Sequence, residues 1–281
     1  MTVADCIQLA CEWEARTRKP GNVHPGASFA DTTFDDFMRS AAAIRDPLTR
    51  GLPVGEAVLA AVQATRAAIG KNTNLGIVLL LAPLARSSAL PHTLASLTLA
   101  DADATFRAIR LAKPGGLGDA PDQDVAAAPT VTLLEAMMMA ADRDLIARQY
   151  ANGFADIFDF GVPKLAEGFS RYGTVEDAIL HSQLGWLAAF PDSLIARKRG
   201  NAAAEDVRQR SEAVLASGGI GTREWFDLDR HLRSDGNALN PGTTADLIAA
   251  SLFVALREGI VKPDERFASS AMSSEPTRAA V

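Results

Sequence analysis

Three features of this sequence predict an all-α fold, a single globular multi-helix bundle with its active site formed by the loops between helices. Apolar residues make up 48% of the chain while aromatics supply only 6%, so the core must be built from Ala, Leu, Ile and Val, which lets helices approach closely. Apolar residues recur at three- and four-residue spacings in successive segments, and no alternating strand pattern of any length interrupts them. Clusters of Pro and Gly punctuate those segments and mark the loops. The expected catalytic domain runs over residues 1–262. Residues 263–281 contain Ser, Ala and Pro without periodicity and read as a disordered tail.

The helices follow in order. Residues 3–17 carry Val3, Ile7, Ala10 and Cys11 along one face. The helix must stop before the loop from Arg18 to Gly26, where two prolines and two glycines present Lys19, Asn22 and His24. A Lys beside Pro and Gly can set a point charge against a phosphate. His24 reads as a proton carrier or as a hydrogen-bonded loop residue. Thr32, three residues before Asp35, has the spacing of a capping box. From Pro53, the stripe Val54, Ala57, Val58, Ala61, Val62 and Ile69 leads to Gly70. The loop Lys71-Asn72-Thr73-Asn74-Leu75-Gly76 then stands directly ahead of an apolar helix. Asn72 or Thr73 would cap that helix, and free N–H groups at such a start form an anion site, which places Asn74 and Gly76 in it as well.

A helix around residues 101–111 ends at the stretch LAKPGGLGDAPDQDV, residues 111–125. Pro114 and Pro121 lack an N–H, and Gly115, Gly116 and Gly118 make helical order costly. The backbone there can approach a ligand closely, with Lys113 and Gly116 available for phosphate. Asp119, Asp122 and Asp124 follow, three carboxylates that repel one another unless a cation, a proton or water screens them. Mg²⁺ suits such a place, bound by one or two carboxylates plus phosphate oxygens and waters. A solvated acidic loop is the alternative.

Helical patterns resume near Thr130. Met137, Met138 and Met139 are consecutive and serve as flexible core filler. Thr174 and Asp177 open a helix through Ala189. Beyond Asp192 lies the most basic spot of the chain, Arg197-Lys198-Arg199. It suits a helix C-terminus or a polyphosphate clamp. Further helices end at Ser217 and Leu232, and a last one follows Asn240-Pro241-Gly242, where Thr243 could cap with Asp246.

Several classes are disfavoured. The net charge is −6 and no long basic block exists, so nucleic acid is not an expected partner. Cys6 and Cys11 have no His or Cys cluster beside them, which argues against zinc and for a reducing cytoplasm. The N-terminal segment lacks an apolar core of signal-peptide type. The strongest apolar run, residues 75–85, is far below the roughly 20 residues a membrane span requires and reads as a helix buried on all sides. No P-loop, dinucleotide fingerprint or nucleophile elbow is present. A cytoplasmic protein of small-molecule substrates is expected, with pairing as a homodimer left open.

Together the loops resemble the triphosphoribosyl-dephospho-coenzyme A synthase family. The resemblance rests on Lys19-Pro20-Gly21-Asn22-Val23, on Asn72-Thr73-Asn74-Leu75-Gly76, on Asp192 through Gly200, and on Asn240-Pro241-Gly242 with Ala245-Asp246-Leu247, in the family's order across nearly the whole chain. It implies an all-helical transferase that displaces adenine from ATP with a hydroxyl of 3′-dephospho-coenzyme A, retaining the triphosphate, in prosthetic-group biosynthesis. Carried over to matching positions, Lys19, Asn72, Arg197 and Arg199 handle phosphates, with Asp192 and Asp246 near metal or ribose. Two departures stand out. Gly26 is followed by Ala27-Ser28-Phe29-Ala30-Asp31 where the family has a Gly-x-His-x-Asp-Met pattern, and Asn74-Leu75 replaces the usual His-Lys. They suggest a divergent branch, one option being another ribosylated cofactor such as a C1-carrier pterin.

Adenine displacement at C1′ passes through an oxocarbenium-like state and needs acid–base help for the departing base and incoming hydroxyl. The expected site assigns Asp119, Asp122, Asp124 and His24 to catalysis. It gives Lys19, Asn22, Asn72, Thr73, Asn74, Gly76, Lys113, Gly116, Arg197 and Arg199 to the nucleotide, and Asp122, Asp124, Asp192 and Asp246 to Mg²⁺. A Mg²⁺-dependent N-glycosidic hydrolase resembling ADP-ribosylglycohydrolase and a non-catalytic helical adaptor are the competing readings.

Overall fold

The computed structural model describes residues 1–86, 89–115, 123–263 and 266–267. Fourteen α-helices occur among them, with no sheet. The first half contains α1 (Val3–Arg16), α2 (Phe34–Ile44), α3 (Val54–Ile69), α4 (Leu75–Arg86), α5 (Leu90–Ala95), α6 (Leu99–Ala112), α7 (Leu133–Ala140) and α8 (Leu145–Ala151). A π-helical turn over Asp156–Gly161 leads into α9 (Val162–Tyr172). Then come α10 (Val175–Ala189), α11 (Ser193–Arg199), α12 (Asn201–Ala216), α13 (Arg223–Arg233) and α14 (Gly242–Arg257).

Three helices are buried over most of their length on every side and form the centre. In α14 every residue from Leu247 to Leu256 is buried, and in α10 every residue from Val175 to Leu187. The third is α4, buried at Leu75 and from Ile77 to Leu84. Around α14 pack α1, α4, α9 and α10, while α3 pairs with α6 and α2. A smaller apolar cluster joins α10 to α11, α12 and α13 through Leu184, Ile195, Val207, Trp225 and Leu228.

Pro83 lies inside α4 and has no N–H to give the Leu79 carbonyl. The buried Tyr150 hydroxyl of α8 donates to that freed carbonyl at 2.6 Å. A helix flaw and a buried polar side chain thus satisfy each other, as buried polar groups must.

The helices that the sequence delimits start within about three residues of where it places them, with two informative differences, while α5, α8 and α9 are not delimited by it. The carboxylate that reaches back at α2 is Asp36, accepting from Thr33 N at 2.8 Å and Thr33 Oγ1 at 3.0 Å, so the Thr32–Asp35 pairing is displaced by one residue. Thr243 does not cap Asp246. It already lies within α14, and its Oγ1 accepts from Leu194 N at 3.1 Å. Arg266 and Phe267, which the sequence places in the tail, dock on the body: their carbonyls accept from Val175 N at 3.0 Å and Glu176 N at 2.7 Å. These bonds satisfy two orphan donors at the start of α10. No helix is long and apolar enough to cross a membrane among the described residues.

Candidate active site

A cleft of about 780 Å³ opens where the loops before α2, before α4, after α6 and before α14 converge beside α11. This volume lies within the range of small-molecule sites. Its apolar lining comes from α6, α7 and α8, including Phe106, Ile109, Leu133, Met137 and Ile146. Its polar lining comes from the loops.

The start of α4 supplies the best-formed part. Asn72 Oδ1 accepts from Asn74 N at 3.2 Å and Leu75 N at 3.0 Å, the capping arrangement that leaves later N–H groups of the first turn free for an anion. Thr73 Oγ1 shares a 2.7 Å hydrogen bond with Ser40. Asn74 is buried, and its Nδ2 has no hydrogen-bond partner among the described residues. Asn72, Thr73, Asn74 and Gly76 all line the cleft. Asn22 lines it too, fixed by its Nδ2 donating to Asn240 Oδ1 at 2.7 Å and by Gln183 Nε2 donating to its Oδ1 at 3.1 Å.

The basic run divides by geometry. On a helix successive side chains point about 100° apart, so three adjacent cations cannot share one face. Arg197 lines the cleft, pairs with Asp144 at 2.5 Å and leaves its buried Nε without a partner. Lys198, which the expected site omits, also lines the cleft. Its Nζ donates to the Asn237 carbonyl at 3.1 Å, and burial lowers its pKa. Arg199 is exposed, ion-paired with Asp235, and does not line the cleft. Lys113, Arg143, Arg66 and Lys71 add positive charge around the opening.

Asp246 and Glu14 are the acidic groups deep in the cleft. Asp246 accepts no hydrogen bond from any described residue. Burial, then the charges of Glu14 and Asp192, push its carboxyl well above the usual carboxylate range. Its carboxylate lies against Gly76, where a Cβ would come within 2.0 Å of Oδ2. Glu14 was not expected from the loops because it lies on α1. A signal existed, since Glu14 falls on the helix stripe of Ile7 and Cys11, where a charge is out of place.

Three expected residues take other places. Lys19 is fully buried, its Nζ 2.8 Å from Glu14 Oε1 and donating also to the Glu14 carbonyl near the C-terminus of α1, where a cation is favoured. It therefore stands behind Glu14 and not on the cleft surface. Asp192 is buried beside α14. Its Oδ1 accepts from Leu194 N and Ile195 N at 2.9 and 3.1 Å, and its Oδ2 from Thr244 N and Oγ1 at 2.7 and 2.8 Å. With four donors in place, that carboxylate has no position left for a metal. His24 does not line the cleft: its Nδ1 accepts from Gly26 N at 3.1 Å, and burial followed by the charges of Arg233 and Lys19 lowers its pKa to about 4. A neutral imidazole in a turn is the outcome.

Asp124 lines the cleft and its Oδ1 accepts from Ala126 N at 2.7 Å. Gly116, Asp119 and Asp122 lie outside the described residues. No group of three His, Cys, Asp or Glu placed to hold a metal occurs among the described residues.

Comparison with known proteins gives a consistent result. A family model described as ATP:dephospho-CoA triphosphoribosyl transferase matches residues 1–264. The chain is 34% identical over 113 residues to a protein of Pseudomonas putida described as a 2-(5''-triphosphoribosyl)-3'-dephosphocoenzyme-A synthase, covering 38% of this chain and 40% of that protein. A similarly described protein of Pseudomonas paraeruginosa is 32% identical over 115 residues, covering 38% of each. These matches span about 40% of the curated relatives' length. A solved structure from Archaeoglobus fulgidus, described as a triphosphoribosyl-dephospho-coA synthase, is similar with a TM-score of 0.64 and 29% identity, over 78% of this chain and 98% of that one. With a match that runs nearly end to end and an all-helical fold shared with that relative, the chain belongs to the ATP:dephospho-CoA triphosphoribosyl transferase family.

Proposed function

We propose that this protein transfers the triphosphoribosyl group of ATP to a hydroxyl of 3′-dephospho-coenzyme A or a related ribosyl acceptor, releasing adenine. The observation that carries the reading is the convergence of cationic and N–H donor groups at one cleft: the first turn of α4, Asn74 Nδ2, Arg197 Nε and the Lys198 ammonium. Such a donor set suits a polyphosphate. The apolar lining from α6 to α8 offers a dry surface for the flat base or the acceptor chain.

The chain's own groups divide the work. Arg197, Lys198 and the α4 terminus bind the triphosphate, supplying binding energy remote from the reacting carbon. Asn22 and Asn240 tie the loop after α1 to the loop before α14 at the wall of the cleft. Asp246 presents a carboxyl group near the C1′ region, where a group with a raised pKa can exchange a proton with the departing base or incoming hydroxyl. Magnesium fits the cleft, because a single lining carboxylate such as Asp124, with phosphates and waters to complete the shell, is the kind of site Mg²⁺ uses. When bound it would neutralise and orient the triphosphate.

The test is to incubate the protein with Mg-ATP and 3′-dephospho-coenzyme A and to follow adenine by chromatography and the product by mass. Adenine released in equal amount with an acceptor heavier by one triphosphoribosyl group is expected. Free triphosphoribose formed at the same rate without acceptor would make the protein a hydrolase, and no adenine at all would refute the reading.

A further inference from the structure

The cleft is polarised. Lys113, Arg143, Arg197 and Lys198 line it with positive charge; of its carboxyl groups, Asp31, Asp124, Asp144, Asp246 and Glu14, only Glu14 is almost wholly buried, which makes its surroundings the acidic depth of the cleft. A triphosphate seated against the Glu14 carboxylate would be repelled, so the phosphates belong with the cations and the α4 terminus. The part of a nucleotide that suits the acidic depth is the one rich in hydroxyl donors.

Glu14 is built for such a donor. It is only 4% exposed, yet it lines the cleft. One oxygen forms an ion pair with the Lys19 ammonium at 2.8 Å, which supplies the counter-charge that a buried carboxylate requires. The other oxygen accepts from no described residue, and because Glu14 lines the cleft a donor on a ligand can reach it. Lys19 is fully buried and also bonded to the Glu14 carbonyl, so it locks the side chain to the end of α1. A carboxylate held on one side and open on the other is a suitable clamp for a sugar hydroxyl.

We propose that Glu14 binds a ribose hydroxyl of the nucleotide and that Lys19 is the positioning residue that holds it there. This rests on the triphosphoribosyl transfer reading above. The test compares kcat/KM for ATP, 2′-deoxy-ATP and 3′-deoxy-ATP in the wild-type protein and in Glu14→Gln. The wild type should lose about 10-fold to 100-fold on removal of the contacted hydroxyl, the range for a hydrogen bond to a charged group. Glu14→Gln should lose a similar factor with ATP and discriminate little between ATP and that deoxy analogue. Undiminished preference for ATP in Glu14→Gln would overturn the proposal, because a merely structural role would slow all three substrates alike.

The Lys19 assignment has its own readout. In Lys19→Met combined with Glu14→Gln, both charges are gone, and the double variant should be no slower with ATP than Glu14→Gln alone. Multiplied losses would return Lys19 to direct substrate contact and overturn its positioning role. If the wild type releases no adenine, the reaction reading fails on its own. Calorimetry of Mg-ATP against the two Mg-deoxy analogues then decides the clamp: equal affinities in the wild type would refute it, and a preference abolished by Glu14→Gln would support it.

Discussion

The Asp246 carboxylate occupies the space that any side chain at Gly76 would need: a Cβ there would lie 2.0 Å from Oδ2 and 2.5 Å from Cγ. The first turn of α4 and the first turns of α14 therefore meet with a carboxylate between them. Gly76→Ala should push Asp246 out of place. Ala is the better helix former by about 1 kcal/mol, yet overpacking costs about 1–3 kcal/mol, so thermal stability should stay level or fall. Adenine release should drop by about 100-fold, the scale of an ångström-sized misplacement. Unchanged turnover would show that this contact is dispensable.

Adjacent cations of α11 should behave differently. Lys198→Gln removes a half-buried ammonium from the cleft and should raise the KM for ATP by about 10-fold to 100-fold. Arg199→Gln breaks an exposed pair with Asp235 and should leave KM within about twofold and stability within about 1 kcal/mol. Steady-state kinetics with varied ATP, alongside thermal melts, separates the two.

Acid should weaken the fold through His24. In the unfolded chain this imidazole gains its proton near 6.5, but in the fold only near 4. Between those values the unfolded state binds more protons, so stability is complete above about pH 6.5 and declines as pH falls toward 4. Tm measured from pH 7 to 4 should fall less steeply in His24→Gln than in the wild type, once other carboxylate effects common to both are subtracted.

Tyr150→Phe tests the link between α8 and α4. Loss of the hydroxyl leaves the Leu79 carbonyl without a donor, because Pro83 cannot supply one. Chemical denaturation should report a cost of about 1–3 kcal/mol, that of an unsatisfied buried group. ATP kinetics should be little altered, since Tyr150 does not line the cleft.

Local chemistry was legible in the chain. The apolar run of α4, the Asn72 cap and the Thr174–Asp177 start follow from period and from side chains that reach only three residues. The loops that bear Asn22, Asn72, Lys113 and Asp124, and the helix start that bears Asp246, were also identifiable, because Pro and Gly mark them. Less legible was which side chain of a loop faces inward. Lys19 and Asp192 carry the right charge in the right segments, but one backs Glu14 and the other ties α11 to α14. Glu14 and Lys198 face the cleft instead.

By itself, then, the amino-acid order settled that helices form, roughly where the longer apolar ones begin and end, and which segments between them bear charge. Those are short-range matters of propensity, capping and periodicity. Only the packing of α1 against α14, and of α14 against α4, decided which charges meet across the cleft and which are neutralised behind it. That outcome depends on helix rotation and on contacts between residues as distant as Gly76 and Asp246, and no local spacing encodes either.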